Sequence, residues 1–200
     1  MKTAILSTVA ALVATTATAG TIVAPNPDPV IAPTPAPAPV TSPWNGFYAG
    51  ASFGWNTGEE FVPAPPTTFN GLTYGGFAGY NFVMDSGFMV GGELAATRVN
   101  REYSTSTVNN AMVFDAKLRA GFAADRALIY ASGGYSMVNY DTGGFQGQGW
   151  NAGAGVDYLV TDSMFVGAEY IYRDIDDSQN TPPNWETRSH TIQLRAGLKF

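Results

Sequence analysis

The ionisable residues of this 200-residue chain are few, and several recur at intervals of two or four. Asp115, Lys117 and Arg119 alternate with apolar neighbours, and Arg195 and Lys199 flank Gly197. Glu93, Asp157, Glu169 and Arg173 each stand among glycine, alanine and aromatic residues. The only histidine, His190, follows Ser189, and Asp174, Asp176 and Asp177 lie a short way before it. Two kinds of chemistry are available to such a set. An Asp–His pair could activate water for hydrolysis of a peptide. Alternatively, opposite charges sharing one enclosed face could pair into a salt-bridged plug. An exposed polar rim accounts for His190 and the acids without catalysis, so no catalytic residue is assigned. The run Asp174-Ile-Asp-Asp177 offers oxygens to a divalent cation, but lacks the glycine of a metal-binding turn. The stretch Gly143-Gly-Phe-Gln-Gly-Gln-Gly149 has no following lysine or helix and is no phosphate cradle. The expectation is no metal, no cofactor and no enzyme.

What must position these charges is a set of two-faced strands. Successive side chains of an extended chain point to opposite faces. In 190–200, Ile192, Leu194, Ala196, Leu198 and Phe200 fall on one face, and Thr191, Gln193, Arg195, Gly197 and Lys199 on the other. Segment 113–124 sets Phe114, Ala116, Leu118, Ala120 and Phe122 against Asp115, Lys117, Arg119 and Gly121. The same alternation runs through 45–56, 72–83, 88–97, 150–160 and 164–173. Segment 127–138 is apolar on both sides and its phase cannot be read. The sum is eight strands.

Their connections differ in length by turns. After strands two, four and six they are tight and each holds an aspartate, a residue able to bond its own backbone in a turn. After strands one, three, five and seven the polar stretches 57–71, 98–110, 139–149 and 174–189 read as long loops. Phe47, Phe82, Phe88, Phe122, Phe165 and Phe200 lie near the short turns, and Trp55, Tyr74, Trp150 and Tyr172 near the long loops. Two aromatic belts, short turns on one side and long loops on the other suit a barrel that spans a membrane. Closure is required, because an open strand edge would leave backbone groups unsatisfied in hydrocarbon. The expected fold is therefore all-β: an eight-stranded antiparallel up-and-down transmembrane barrel. An even strand number puts both termini on the short-turn, periplasmic side.

Residues 1–19 read as a secretory signal peptide, with a short cationic start, an apolar run from Ala4, and Ala17-Thr18-Ala19 as the cleavage site. Residues 20–43 are rich in proline and alanine, which forbids helix and favours an extended tether. The barrel domain is then 44–200. Sixteen acidic against ten basic side chains, with no basic patch, argue against nucleic acid as a partner. The absence of cysteine excludes a disulfide framework.

The inward set is Glu93, Asp115, Lys117, Arg119, Asp157, Glu169, Arg173, Arg195 and Lys199, mixed with glycines. Counting residues from the short turns puts Glu93, Arg119, Glu169 and Arg195 in one layer. The pairs expected are Glu93 with Arg119 or Lys117, and Glu169 with Arg195.

The stretches Trp44-Asn-Gly-Phe-Tyr-Ala-Gly50, Tyr74-Gly-Gly-Phe-Ala-Gly-Tyr80, Val90-Gly-Gly-Glu93, Leu118-Arg-Ala-Gly-Phe122, Trp150-Asn-Ala-Gly-Ala-Gly-Val-Asp-Tyr158, Ala168-Glu-Tyr-Ile-Tyr-Arg-Asp174 and Leu194-Arg-Ala-Gly-Leu-Lys-Phe200 occur in order along the chain. In this the chain resembles the small OmpA-like, porin-family outer-membrane barrels of Gram-negative bacteria, the surface antigens called outer-membrane immunogenic proteins. The resemblance implies an outer-membrane location among lipid and lipopolysaccharide. It also implies that Leu198 and Phe200 belong to the signal read by the barrel-assembly machinery. Three functions remain open on these residues: a structural barrel with a plugged lumen and exposed antigenic loops, a narrow pore for ions or very small solutes, and a soluble ligand-binding barrel. The first is favoured. The oligomeric state is not legible.

Overall fold

The computed structural model describes residues 42–61, 66–103, 108–141, 146–177 and 186–200; the expected signal peptide and all but the end of the tether lie outside them. Eight strands follow one another: β1 (Gly46–Phe61), β2 (Thr67–Val83), β3 (Phe88–Tyr103), β4 (Val108–Ala124), β5 (Ala127–Tyr140), β6 (Gln146–Leu159), β7 (Met164–Asp177) and β8 (Glu186–Lys199). Each pairs antiparallel with the next, and β8 returns to β1, closing the barrel. The topology is the one the alternation predicts.

The phase is also as predicted where it could be read. Leu118 and Leu194 are 76% and 68% exposed, while their neighbours Arg119 and Gln193 are 2% and 4% exposed. The apolar stripe therefore faces out and the polar stripe in, the arrangement of a strand between lipid and an enclosed lumen. In β5 the structure settles what the sequence left open. Ile129, Tyr135 and Met137 face out, and Leu128, Tyr130, Ser136 and Val138 face in.

Three expectations need correction. First, much of the four long loops is strand. Pairing continues to Glu60↔Thr67, Glu102↔Val108, Asn139↔Gln146 and Asp176↔Glu186. Ladder hydrogen bonds do not require apolar side chains, and the inward row goes on filling the barrel through Glu60, Phe69, Arg101, Val113, Val138 and Ile175. The barrel thus rises above its own apolar band. Second, Phe165 is not a belt residue. It is buried inside, against Trp44 (5.9 Å between ring centres) and Tyr48 (6.0 Å). The alternation with exposed Val166 already requires this. Third, the aspartates are not what holds two of the three tight turns. Thr161 Oγ1 accepts from the Met164 amide (3.0 Å), and Ser86 Oγ accepts from the Phe88 amide (3.4 Å). Asp125 takes the left-handed conformation (φ 48°) that the two-residue β4–β5 hairpin requires.

Candidate functional site

The lumen is filled in layers, each following from which side chains the strand register brings to one height. At the short-turn end lies a buried apolar layer: Trp44, Phe77, Met89, Leu128, Leu159 and Phe165, with the rings of Tyr48 and Tyr130. Bulky rings lie over inward glycines of the neighbouring strand, Tyr48 over Gly79 and Phe165 over Gly197. This layer was missed at the sequence level, where the interior was read as glycine and charge. The signal for it was the two-sided apolarity of β5, which contributes Leu128 here and Val138 to a second apolar cluster nearer the long connections.

Above the ring layer lies a charged cluster. Three acids, Glu93, Asp157 and Glu169, meet three bases, Lys117, Arg119 and Arg195. Lys117 stands opposite Glu93 in the β3–β4 register and reaches both Glu93 and Glu169 at 2.8 Å. Arg119 bonds Glu93 (3.2 Å) and Asp157 (3.0 Å), with its guanidinium 3.7 Å from the centre of the Tyr130 ring. Arg195 touches all three acids: Glu93 at 2.6 Å, Glu169 at 2.9 Å and Asp157 at 3.2 Å. It also donates to the Tyr130 hydroxyl (2.9 Å) and covers the Phe77 ring (4.1 Å). Tyr48 donates to Glu93 (2.9 Å) and receives Arg119. Buried ions are tolerated only when charge and hydrogen bonds both balance. Here the formal charges cancel, and every acid has at least two cationic partners.

A smaller polar layer follows toward the long connections. Arg173 grips Asp115 through Nε (3.1 Å) and Nη2 (2.6 Å), the paired geometry that suits guanidinium and carboxylate. Ser136 donates to Asp115 (2.6 Å), Asn151 donates to Ser136 (2.8 Å), and Arg173 donates to Thr191 (2.8 Å). Both expected pairings are present in the charged cluster, which Asp157 joins, while Asp115 and Arg173 pair with each other in the smaller layer.

Lys199 is the exception among the predicted lumenal residues. Among the described residues it makes no ion pair, and Phe165, lying over Gly197, separates it from Arg195. The candidate hydrolytic set is not assembled either. Ser189 is buried in the lumen while His190 points outward, because they are consecutive in β8. His190 Nδ1 lies 2.6 Å from the Tyr170 hydroxyl, and Asp174 pairs with Arg188 (3.7 Å). Leu198 and Phe200 face outward at the barrel rim, where the Phe200 amide donates to the Phe47 carbonyl (2.9 Å).

The packing of Tyr48 over Gly79 supplies a test of this order. A methyl group at Gly79 would collide with the Tyr48 hydroxyl and the Gly92 carbonyl. Gly79→Ala should cost about 1–3 kcal/mol of stability by overpacking. The measurement is a fall in the temperature at which the folded band converts to the unfolded one on a detergent gel.

The comparisons with known proteins agree with this architecture. The 31 kDa outer-membrane immunogenic proteins of Brucella melitensis biotype 1 and Brucella suis biovar 1 are each 26% identical over 245 residues, covering 100% of both chains. Neisserial surface protein A superposes with a TM-score of 0.59 at 20% identity, over 78% of this chain and 97% of that one. Ail, the attachment invasion locus protein of Yersinia pestis, solved with a heparin analogue, superposes at 0.50 and 18% identity, over 78% and 99%. At these identities the two structures speak for the fold alone. The sequence pattern of the outer membrane protein beta-barrel domain matches residues 30–200, so with its closed barrel and apolar outer wall the chain belongs to that family and to the Gram-negative outer membrane.

Proposed function

We propose that this protein is a structural barrel whose lumen is closed to solutes and whose long connections serve as surface antigens, contributing to envelope integrity. The observation that carries the reading is the filled lumen: a ring layer at one end, then six interlocked charges, then the Asp115–Arg173 layer. An eight-stranded barrel is only wide enough for side chains to fill it. The names of the Brucella relatives support the antigen role. The long-connection end faces outward and both ends of the barrel domain face the periplasm. Residues 1–19 are removed on export, 20–43 act as a spacer, and 44–200 form the barrel. The assembly machinery reads Leu198 and Phe200. No catalytic role is assigned, since His190 is engaged with Tyr170 on the outer wall.

Planar-bilayer recording tests closure. The refolded protein should show no conductance steps above leak; discrete steps would support the narrow pore instead. Protease protection in intact cells tests topology. Cleavage from outside should fall in the segments after β1, β3, β5 and β7 and never in the short turns.

A further inference from the structure

Trp44 differs from the rest of the apolar layer in how it reaches the lumen. Among the described residues of that layer it alone lies outside the strands, shortly before β1 begins at Gly46. No ladder pairing carries it inward, yet its side chain is 1% exposed. A tight turn directs it. The Trp44 amide donates to Ser42 Oγ (3.3 Å), and the Asn45 amide donates to the Ser42 carbonyl (3.0 Å). The indole Nε1 has no acceptor among the described residues, so packing alone holds the ring.

This turn is anchored on both sides of the seam where β8 closes on β1. The indole packs on Phe165 of β7. The Asn45 side chain accepts from the Val83 amide at the end of β2 (3.1 Å). The bend between them is fitted to the seam itself. Gly46 has a positive φ of 118°, and a Cβ there would stand 2.9 Å from the Phe200 carbonyl oxygen. Glycine meets both demands. Phe200 in turn donates its amide to the Phe47 carbonyl, next along β1. Residues 42–46 therefore hold β7, the end of β8 and the end of β2 together across the closure.

We propose that residues 42–46 form a clasp that seats only after β8 has paired with β1, and that then locks the barrel against reopening at that seam. Its seat does not exist earlier. Phe77, Leu128, Leu159 and Phe165 lie on β2, β5, β6 and β7, and they surround one ring only when the sheet has curled shut. Contacts so distant in sequence are slow to form. An interaction absent from the transition state slows unfolding and leaves the folding rate alone. The clasp thus sets how long the closed barrel persists, not how fast it assembles.

The test is the kinetics of the full chain, refolded into phosphatidylcholine vesicles and unfolded in urea. Trp44→Ala should unfold at least about tenfold faster while refolding within about twofold of the parent rate. Asn45→Ala keeps the indole and loses only the bond to Val83. It should unfold about two- to tenfold faster, again with refolding unchanged. Timing is read in a chain carrying Trp55→Phe, Trp150→Phe and Trp185→Phe, in which Trp44 is the remaining tryptophan. The blue shift of its emission should lag behind the heat-modifiable folded band. A blue shift that precedes or accompanies the band would overturn the proposal. So would refolding slowed as much as unfolding is hastened, or a parental unfolding rate in both variants. Should Trp44→Ala give no folded band, Asn45→Ala and the timing of the blue shift decide on the same terms.

Discussion

Glu93→Ala should lower the unfolding free energy by about 3–5 kcal/mol, the cost of leaving buried charge uncompensated. Glu93 contacts Lys117 (2.8 Å), Arg119 (3.2 Å) and Arg195 (2.6 Å), and receives the Tyr48 hydroxyl. Its removal leaves three cations facing two carboxylates in a layer whose side chains are at most 1% exposed. The rings of Trp44, Phe77 and Phe165 pack below the layer, so the loss falls in an apolar-lined site. Glu93→Gln keeps the shape but not the charge, and should lose nearly as much. The matched pair behaves differently. Glu93→Leu combined with Lys117→Met removes one charge of each sign and leaves Arg119 and Arg195 with Asp157 and Glu169. Most of the single-variant loss should be recovered, since apolar replacement of a balanced buried pair is often close to neutral. Urea unfolding of the protein refolded into phosphatidylcholine vesicles measures all three. Asp162→Asn is the control. Its partner Arg126 is 3.8 Å away and both side chains are in solvent, so no change is expected. If Glu93→Ala unfolded no more readily than this control, the charged layer would not be contributing to the stability of the barrel.

How much of this was legible in the chain depends on which force set each feature. Strand alternation is a local consequence of backbone geometry, so the outward faces of β1, β4 and β8 could be read residue by residue, and with them the inward charges. Pairing partners were legible only as heights. Lys117 reaches Glu169 three strands away, and Arg195 reaches Glu93 around the closure, because the narrow barrel lets long side chains cross the lumen. Height along a strand does not encode that crossing. The apolar layers at both ends were hidden for another reason. A lumenal leucine and a lipid-facing leucine look alike in sequence, so Leu128 and Ile129 gave β5 no phase. The strand extensions were hidden because composition suggested loop where the ladder, closed around the whole barrel, continues through polar residues. The joint exclusion of Lys199 and inclusion of Phe165 share one cause. The glycine at position 197 makes room for the Phe165 ring, and that ring caps the charged layer one residue pair before Lys199.

Leu118→Arg addresses the outer wall with comparable force. Leu118 lies within the outward row of β4, between Phe114 and Ala116 on one side and Ala120 and Phe122 on the other, and it is 76% exposed. An arginine there faces hydrocarbon near its midplane, at a cost of about 2–4 kcal/mol. The same change at Thr57, two residues beyond Trp55 on β1, faces the headgroup level and should cost about 0–1 kcal/mol. The depth dependence matters because a soluble barrel would show none: both positions would face water and both arginines would be tolerated. The neighbouring change Arg119→Leu adds a second axis. It is apolar for charged, one residue along, yet it should also destabilise by about 3–5 kcal/mol, since Glu93 and Asp157 lose a shared partner. Adjacent positions thus respond with opposite chemical preference, as a strand with two solvents requires. Unfolding in vesicles reads all three variants. A neutral Leu118→Arg, or equal losses at Leu118 and Thr57, would mean that the greasy face does not meet lipid.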